Sequence, residues 1–436
     1  MAVINFIVND IFRQPPLFLG LIALAGLLLQ RASFSDIMKG TVKTILGVIV
    51  LMKAVDIISA SMAPLAAAFT KMFAIQGDLG KSAPGMNEFI VQYGSLIGLV
   101  MVLAFILNCL TARFTRFKSI FLTGHIFFWI AFISVAVGVE AQLKGTVLIV
   151  MATLATTVYI VATPWLIRPF VKQVTGDDTF TIGHSCVGLS ILAAYIGKLF
   201  GNKEKSTEDI KVPESLDFLR ETTITTGIVM FLIYTVVGII IGPAGREAAF
   251  GAGNDAAASG IVFGLMQGLT FGAGLTVLLT GVRLMLGELI PAFRGIAQKL
   301  VPDAIPALDC PMIFPFAPNA TLIGFVVSMI ASIAAIVLMG ASGIFSVAVI
   351  PLTVACFFDV GPAIVFANAT GGRRGAVLAS IVCGFLLIIL EAGSIMILAH
   401  TVPDFVQAFG GNDFSILALL FKRYHKDFWT LKGVLL

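Results

Sequence analysis

Long uninterrupted runs of apolar residues dominate this chain, and polar residues fall mostly in short stretches between them. A helix needs roughly 20 consecutive apolar residues to cross the hydrocarbon core of a bilayer. We therefore predict about ten membrane-spanning helices, or eleven if one of the shorter runs also crosses. The predicted spans are residues 17–30, 41–60, 93–111, 119–138, 145–167, 223–242, 256–282, 320–340, 344–366 and 375–399.

Three further apolar runs are too short or too punctuated for an ordinary span. They are residues 181–197, 305–319 and 412–421. Broken backbone persists at membrane depth only where protein or a cavity surrounds it. We predict re-entrant or interfacial segments at these places, within an all-α integral membrane fold.

The composition agrees with this fold class. Of the 436 residues, 58% are hydrophobic and only 12% are charged, whereas about a quarter of the residues of soluble domains are charged. The five cysteines are scattered without a close pair, which indicates neither a disulfide framework nor a zinc site. The chain has no basic patch with interleaved aromatic residues, so nucleic acid is not an expected partner.

The basic residues predict an orientation, because cytoplasmic loops of membrane proteins carry an excess of Lys and Arg. If the predicted spans alternate, one side of the membrane holds the loop 198–222 together with Arg31, Lys39, Arg113, Arg116, Lys118, Arg168, Lys172, Arg373 and Arg374. We predict that this side is cytoplasmic. The loop 198–222 is either a plain solvated connection or a docking surface for a soluble partner.

A weak internal repeat joins the two halves of the chain. Met38-Lys39-Gly40 opens one span and Met266-Gln267-Gly268 opens another, and a segment that reads as amphipathic follows each, at 61–86 and 283–304. The predicted topology gives the halves, about 17–200 and 223–421, opposite orientations. This pattern is typical of inverted-repeat transporters, and chance similarity between two glycine-rich spans is the alternative.

Two of the four histidines follow a glycine, in Thr123-Gly124-His125 and Ile182-Gly183-His184. An ionisable side chain at membrane depth is costly and usually faces a cavity or a partner. A neighbouring glycine allows a ligand or another backbone to approach closely. These histidines are therefore candidates for binding a solute, and histidines packed against backbone carbonyls are the alternative.

Other polar residues lie at the ends of apolar runs or inside them. Asn319 and Asn368 could bind sugar-like hydroxyl groups, or they could cap helices in the usual way of asparagine. Four acidic residues lie in or beside apolar runs: Asp309, Asp359, Glu391 and Asp413. A carboxylate can accept strong hydrogen bonds from hydroxyl groups, carry a proton or bind Na⁺, and composition does not separate these roles.

The sequence contains no phosphate-binding loop, no His-Glu-x-x-His motif and no Gly-x-Ser-x-Gly motif. Gly251-Ala252-Gly253 lacks both the preceding strand and the third glycine of a dinucleotide fingerprint. We expect no cofactor and no metal, and no catalysis by this chain alone.

Several short motifs occur in a recognisable order. They are Lys39-Gly40-Thr41-Val42-Lys43-Thr44, Leu122-Thr123-Gly124-His125, Ile182-Gly183-His184, Glu208-Asp209, Gly281-Val282-Arg283, Leu308-Asp309-Cys310, Phe316-Ala317-Pro318-Asn319-Ala320 and Val365-Phe366-Ala367-Asn368. Together they resemble the ascorbate-type IIC permease of the bacterial phosphoenolpyruvate-dependent phosphotransferase system. The resemblance extends from about residue 16 to about residue 420.

The resemblance implies a homodimer in the bacterial cytoplasmic membrane, in which each protomer has a scaffold domain and a mobile, substrate-carrying core domain. It implies that residues 1–436 form a single IIC permease domain without a fused IIA or IIB domain. A separate cytosolic IIB protein, charged by a IIA protein, would phosphorylate the solute from its phosphocysteine during inward transport.

The resemblance also implies a set of solute contacts. Its motifs give this role to His125, Ile126, Phe127, Phe128, Trp129, His184, Ser185 and Asp309, with Asn319, Asn368 and Asp413 as further candidates. The ascorbate permease of the family has glutamine where Trp129 and Ser185 align, so this chain has a different set of hydrogen-bonding groups. The family also usually adds one more span after Asp413-Phe414-Ser415-Ile416, where this chain continues with a polar stretch.

We therefore interpret the chain as a permease for a small hydroxylated solute, ascorbate-like or sugar-like, coupled to phosphorylation by IIB. One alternative is an ion-coupled secondary transporter with Asp309, Asp359 or Glu391 as its proton or cation site. The other is a membrane receptor or scaffold that transports nothing, although such a protein needs no polar groups at the middle of the membrane.

Overall fold

The computed structural model describes residues 14–72, 83, 85–210, 215, 218, 221–299, 301–342, 349 and 353–420, and most of these residues are helical. The helices are α1 (Pro15–Leu29), α2 (Phe34–Met72), α3 (Gly85–Phe114), α4 (Gly124–Glu140), α5 (Gly145–Thr175), α6 (Val187–Phe200), α7 (Thr222–Phe250), α8 (Ala257–Lys299), α9 (Pro318–Ser342), α10 (Gly361–Ile397) and α11 (Pro403–Phe409). The last helix of the described part, α12, includes residues 413–420. A single α-turn, Thr353–Ala355, and a π-helical turn, Cys356–Val360, lead into α10.

Seven helices within the described residues are long and apolar enough to cross a membrane. The number is smaller than ten for identifiable reasons. The predicted spans 17–30 and 119–138 contain helices of only 15 and 17 residues. The predicted spans 344–366 and 375–399 belong to one long apolar element, Cys356–Ile397, and residues 343–348 and 350–352 lie outside the described part. The chain is a multi-pass, all-α membrane protein, as the apolar runs predicted.

The predicted amphipathic segments are not separate elements. Residues 61–72 continue α2, and 283–299 continue α8, although Pro64 and Pro291 lie inside these helices. A proline removes one helical hydrogen bond and often kinks a helix without ending it. Residues 73–82 and 300 lie outside the described part.

The helices form two groups, each packed mainly within itself. The first group contains α1, α2, α7 and α8, and the second contains α3 to α6 and α9 to α11. Hydrogen bonds of Asp413 to Tyr159 and of Ser415 to Ser394 join α12 to the second group. Glycines allow close approach inside the first group, since a Cβ on Gly26 would lie 2.0 Å from the carbonyl oxygen of Ala292. Comparatively few contacts join the groups. This division agrees with the scaffold and core that the sequence resemblance implies, while the inverted repeat stays a prediction.

A small parallel sheet, which the sequence reading did not predict, lies inside the second group. Strands β1 (Ser119–Phe121), β3 (Ile305–Leu308) and β2 (Thr181–Ile182) pair in that order. Buried backbone at membrane depth needs internal hydrogen bonds, and the strand pairing provides them. At the edge of β1, the side chain of Asn108 donates to the carbonyl of Ser119 and accepts from the amide of Phe121, both at 3.0 Å.

Two glycines with positive φ interrupt the long helices. Gly242 interrupts α7 with φ 68°, and Gly372 interrupts α10 with φ 58°. At Gly372 the backbone also turns against the loop after α6, where a Cβ would lie 2.1 Å from the carbonyl oxygen of Asn202. Only glycine fits such a position without strain. The gap predicted between residues 366 and 375 therefore corresponds to a break at Gly372 inside one helical element, and not to a boundary between two separate helices.

Candidate functional site

The sheet brings three sequence motifs to one place. Because the strands are parallel, their carboxyl ends lie at the same edge of the sheet. His125 follows β1 by a short turn, His184 follows β2, and Asp309 follows β3 directly. The amide of Leu122 donates to the carbonyl of Ala307 at 3.0 Å, which extends the pairing almost to the site. Motifs that are far apart in sequence therefore converge.

Asp309 lies between the two histidines. Its Oδ2 atom is 3.6 Å from Nε2 of His125, and its Oδ1 atom is 3.8 Å from Nε2 of His184. Oδ1 also accepts a 2.7 Å hydrogen bond from the amide of Cys310. Both distances from Asp309 to the imidazole nitrogens are longer than the length of a direct hydrogen bond. Asp309 and the imidazoles can therefore still form hydrogen bonds with another molecule.

These side chains line a cavity of about 90 Å³. Its lining is Ile58, His125, Ile126, Trp129, His184, Ser185, Leu278, Asp309, Pro311, Val354, Ala355, Phe358, Asp359, Phe409, Asn412 and Phe414. Ile58 of α2 and Leu278 of α8 come from the first helix group, and the other lining residues come from the second. The cavity therefore lies at the boundary between the two groups, with its polar side chains on one of them.

Helical periodicity divides the predicted contacts at the start of α4. His125, Ile126 and Trp129 line the cavity. Trp129 lies four positions after His125 and three after Ile126, and residues at these two spacings are neighbours on a helix surface. Phe127 and Phe128 do not line it. Phe127 packs beside Phe105 and Phe121 with ring centroids 6.4 and 6.1 Å apart. Solute contact by Phe127 and Phe128 stays a prediction that the lining of this cavity does not support.

The three further candidates do not line the cavity. Asp413 accepts hydrogen bonds from the Tyr159 hydroxyl at 2.7 Å and from the Gly188 amide at 2.9 Å, so both of its oxygens are bound within the protein. Asn319 donates to the carbonyl of Thr207, and Asn368 accepts from the amide of Thr207. The two asparagines hold the turn Thr207–Asp209 against α9 and α10. In this conformation all three side chains have structural contacts.

Two polar lining residues were missing from the predicted contact set. Asp359 lies in the π-helical turn and accepts 2.8 Å hydrogen bonds from Ser185 and from Asn412. Its Oδ1 atom also lies 3.5 Å from Nδ1 of His184. The sequence did mark Asp359 as an acid within an apolar run. Nothing in the sequence indicated that the side chain of Asn412, the neighbour of Asp413, would contact Asp359.

Aromatic rings form another wall of the cavity. The Trp129 ring is stacked near Phe409 with a centroid separation of 6.2 Å and an interplanar angle of 18°, and Phe405 lies 5.0 Å away. Trp129 and Phe409 both line the cavity. The tryptophan is therefore packed against two phenylalanines, of which Phe409 also lines the cavity.

His125, His184 and Asp309 can also be considered as metal ligands. They offer ligand atoms that all lie within 4.8 Å of one another. Two imidazoles and a carboxylate suit first-row transition metals. The sequence reading expected no metal, and the donor set makes that expectation worth testing directly.

Comparison with known proteins agrees with the multi-pass helical fold. The family model described as the sugar-specific permease component of the phosphotransferase system matches residues 10–411. A relative, the ascorbate-specific phosphotransferase system EIIC component of Mycoplasma pneumoniae, is 29% identical over 464 aligned residues, covering 92% of this chain and 67% of the relative. Such a match across nearly the whole chain favours neither a receptor nor an ion-coupled carrier. The chain belongs to the family of sugar-specific IIC permeases of the phosphotransferase system.

Proposed function

We propose that the cavity between the two helix groups binds a small hydroxylated solute, ascorbate-like or sugar-like, and delivers it to the cytoplasm for phosphorylation by a separate IIB protein. The convergence of His125, His184 and Asp309 on one buried cavity carries this proposal. Asp309 and His184 are almost enclosed, with relative exposures of 3% and 5%, and the side chain of His125 is 17% exposed. Buried polar groups of this kind need hydrogen-bond partners, and a polyhydroxylated solute supplies several.

The chemistry of the lining supports this solute class. Asp309 accepts hydrogen bonds, and hydrogen bonds between hydroxyl groups and carboxylates are stronger than neutral ones. The ring of Trp129 offers an apolar surface for the C–H face of a small ring. A few polar groups set in an apolar wall are the usual composition of a small-molecule site. The relative named for ascorbate makes that solute the first one to test.

Transport would follow from motion between the two groups. The polar lining belongs to the second group, and Ile58 and Leu278 of the first group close the cavity with apolar side chains. Movement of the second group along the first would carry the solute and its binding residues together. On the cytoplasmic side, a solute hydroxyl oxygen would form an O–P bond as the S–P bond of the IIB phosphocysteine breaks. The cysteine leaves as a thiolate and the hydroxyl proton is released.

The docking face for IIB would be the end of the protein that holds the predicted cytoplasmic loops. The end of α5, the loop after α6 and the break in α10 meet there. The side chain of Gln173 donates to the carbonyl of Ala369. The backbone amide of Asn202 donates to the carbonyl of Gly371, and that of Arg373 donates to the carbonyl of Lys205. Arg168 donates two hydrogen bonds to Asp178 at the same end, which lowers the pKa of that carboxyl below its usual value.

Basic side chains on this face could steer a phosphorylated and therefore more anionic partner, an effect that acts mainly on association rate and weakens with salt. Neutralising Lys203, Lys205 and Lys211 together, the last outside the described residues, should slow phosphorylation-coupled uptake and leave solute binding intact. Acidic residues of the same loop, among them Glu204 and Asp209, would oppose the steering. We also propose a homodimer in the bacterial cytoplasmic membrane, on the basis of the sequence resemblance.

Uptake by whole cells tests the coupling. In a strain that expresses the protein, labelled L-ascorbate uptake should disappear when the phosphoryl carrier chain is deleted. Over short times it should withstand a protonophore. The reverse pattern, with uptake lost to the protonophore and kept without the carrier chain, would support an ion-coupled transporter instead.

A further inference from the structure

The cavity brings three potential metal ligands close to one point. The ligand atoms of His125, His184 and Asp309 all lie within 4.8 Å of one another. In a tetrahedral zinc site, bonds of about 2.0–2.1 Å place two ligand atoms about 3.3 Å apart. The carboxylate of Asp309 is 3.6 Å from Nε2 of His125 and 3.8 Å from Nε2 of His184. Rotation of the two imidazoles about their side-chain bonds would therefore close the ligands around an ion.

The donor atoms select the class of ion. Two imidazoles and one carboxylate suit first-row transition metals, above all Zn²⁺. Mg²⁺ and Ca²⁺ prefer sites made of oxygen atoms, and this cluster offers a single carboxylate. Among the described lining residues there is no lysine or arginine, so no such side chain of the lining repels a metal ion or competes for Asp309.

The groups behind the ligands would orient them. Oδ1 of Asp309 accepts a 2.7 Å hydrogen bond from the amide of Cys310, which fixes the carboxylate. Nδ1 of His184 lies 3.4 Å from Oγ of Ser185 and 3.5 Å from Oδ1 of Asp359. A histidine that binds a metal usually donates its other ring N–H to a carboxylate or another acceptor. With its proton on Nδ1, His184 faces two such acceptors, and the lone pair of Nε2 is then free for an ion.

Three protein ligands leave the fourth position of a tetrahedral ion open. Zinc sites of this kind hold water or another small molecule there. The open position would face the cavity of about 90 Å³, whose apolar wall includes Trp129 and Phe409. The ion would use the same nitrogen and oxygen atoms that the proposed function assigns to the solute, so that ion and solute would exclude each other.

We propose that His125, His184 and Asp309 form a binding site for Zn²⁺ or a similar first-row transition-metal ion, which occupies the cavity in place of the solute and inhibits transport. The metal site itself stands on the geometry of the three side chains. The inhibition rests on the proposed function, since it requires that the solute uses the same residues. The ion acts as an inhibitor, and is neither a cofactor nor cargo.

Metal binding to the purified full-length protein, without any solute, tests the site. Calorimetric titration with Zn²⁺ should show one saturable site per protomer, and Mg²⁺ at the same concentrations should show none. Co²⁺ is the spectroscopic probe, because its visible absorption is much stronger in a tetrahedral site than in six-coordinate aqueous Co²⁺. We expect bound Co²⁺ to give the tetrahedral spectrum and Zn²⁺ to abolish it. No saturable Zn²⁺ binding, or a six-coordinate Co²⁺ spectrum, would overturn the proposal.

Variants separate this site from adventitious binding elsewhere on the chain. His125→Ala, His184→Ala and Asp309→Asn each remove a ligand, and each should weaken Zn²⁺ binding by about tenfold or more. His400→Ala and Asp404→Asn are the matched controls, because both residues are exposed and neither lines the cavity. Both should bind Zn²⁺ as the unmodified protein does. Unchanged Zn²⁺ binding in all three ligand variants would indicate an adventitious ion only and would overturn the site.

Inhibition is read separately, with labelled L-ascorbate as the solute. Zn²⁺ should displace the label from the unmodified protein, and Mg²⁺ should not. If Zn²⁺ binds and the labelled solute does not bind at all, the proposed solute fails and the metal site is upheld. If both bind and Zn²⁺ leaves the solute affinity unchanged, the mutual exclusion is overturned, and with it the inhibition.

Discussion

Nε2 of His125 lies 3.6 Å from Oδ2 of Asp309, although the two residues belong to different halves of the chain. The separation is too long for a direct hydrogen bond and short enough for one solute hydroxyl to contact both groups. Nε2 of His184 lies 3.8 Å from Oδ1, the other oxygen of the same carboxylate. One acidic side chain thus organises two histidines around the cavity.

Replacing either histidine should weaken solute binding without affecting membrane insertion. In His125→Ala and His184→Ala, the loss of one hydrogen bond should cost about 0.5–1.5 kcal/mol of binding free energy. Equilibrium binding to purified protein measures this loss. Phe127→Leu is the matched control, because Phe127 lies on the same helix and does not line the cavity. Normal binding by both histidine variants would indicate that the imidazoles only pack.

The hydrogen bond between Tyr159 and Asp413 should contribute to stability more than to affinity. Tyr159→Phe removes a buried 2.7 Å hydrogen bond to a carboxylate, and such bonds contribute about 1.5–3 kcal/mol. The apparent melting temperature in detergent should fall clearly, while solute affinity among the folded molecules should change little. A large loss of affinity at an unchanged melting temperature would instead make Asp413 a solute contact.

Much of this fold is readable from the sequence because bilayer thickness dictates the length of apolar runs. The short runs at 181–197 and 305–319 were correctly separated from true spans. Their extended parts were missed, because strands of two to four residues leave no distinct pattern of hydrophobicity. Only the pairing of 119–121 and 181–182 with 305–308 makes them a sheet.

The candidate site shows a similar division. The Gly-His and Asp-Cys motifs marked three of its residues, since ionisable groups at membrane depth are rare. Sequence alone does not separate Ile126, which lines the cavity, from Phe127, which does not. The motif marks the whole stretch 125–129, and only the packing of α4 decides which of its side chains face the cavity. The sequence could not identify Ile58 and Leu278 as lining residues. They are two of many apolar residues within spans, and only the packing of the two helix groups places them at the cavity.

The predicted orientation can be tested by thiol labelling. A cysteine at the exposed Asn202, in a version whose native cysteines are replaced, should react with an impermeant reagent only in inside-out vesicles. Thr146→Cys, at the exposed start of α5, is the matched control and should react only from the outside. Interchanged accessibility would invert the topology and remove the basis for docking IIB at the loop after α6.

Metal dependence has a clear expectation. If the cavity serves the solute alone, a chelator should leave L-ascorbate binding unchanged. Zn²⁺ should compete with the solute, because imidazoles and a carboxylate are good ligands for it, and the competition should be weaker in His184→Ala. Loss of solute binding on chelation, restored by added metal, would instead make a bound ion part of the site.

The central claim is that Asp309 holds the solute in the cavity between the helix groups. The most direct measurement is equilibrium binding of labelled L-ascorbate to the purified Asp309→Asn variant, which keeps the size of the side chain and removes its charge. We expect the binding free energy to weaken by about 1.5–3 kcal/mol, with expression and oligomeric size unchanged. Affinity equal to that of the unmodified protein would contradict the account.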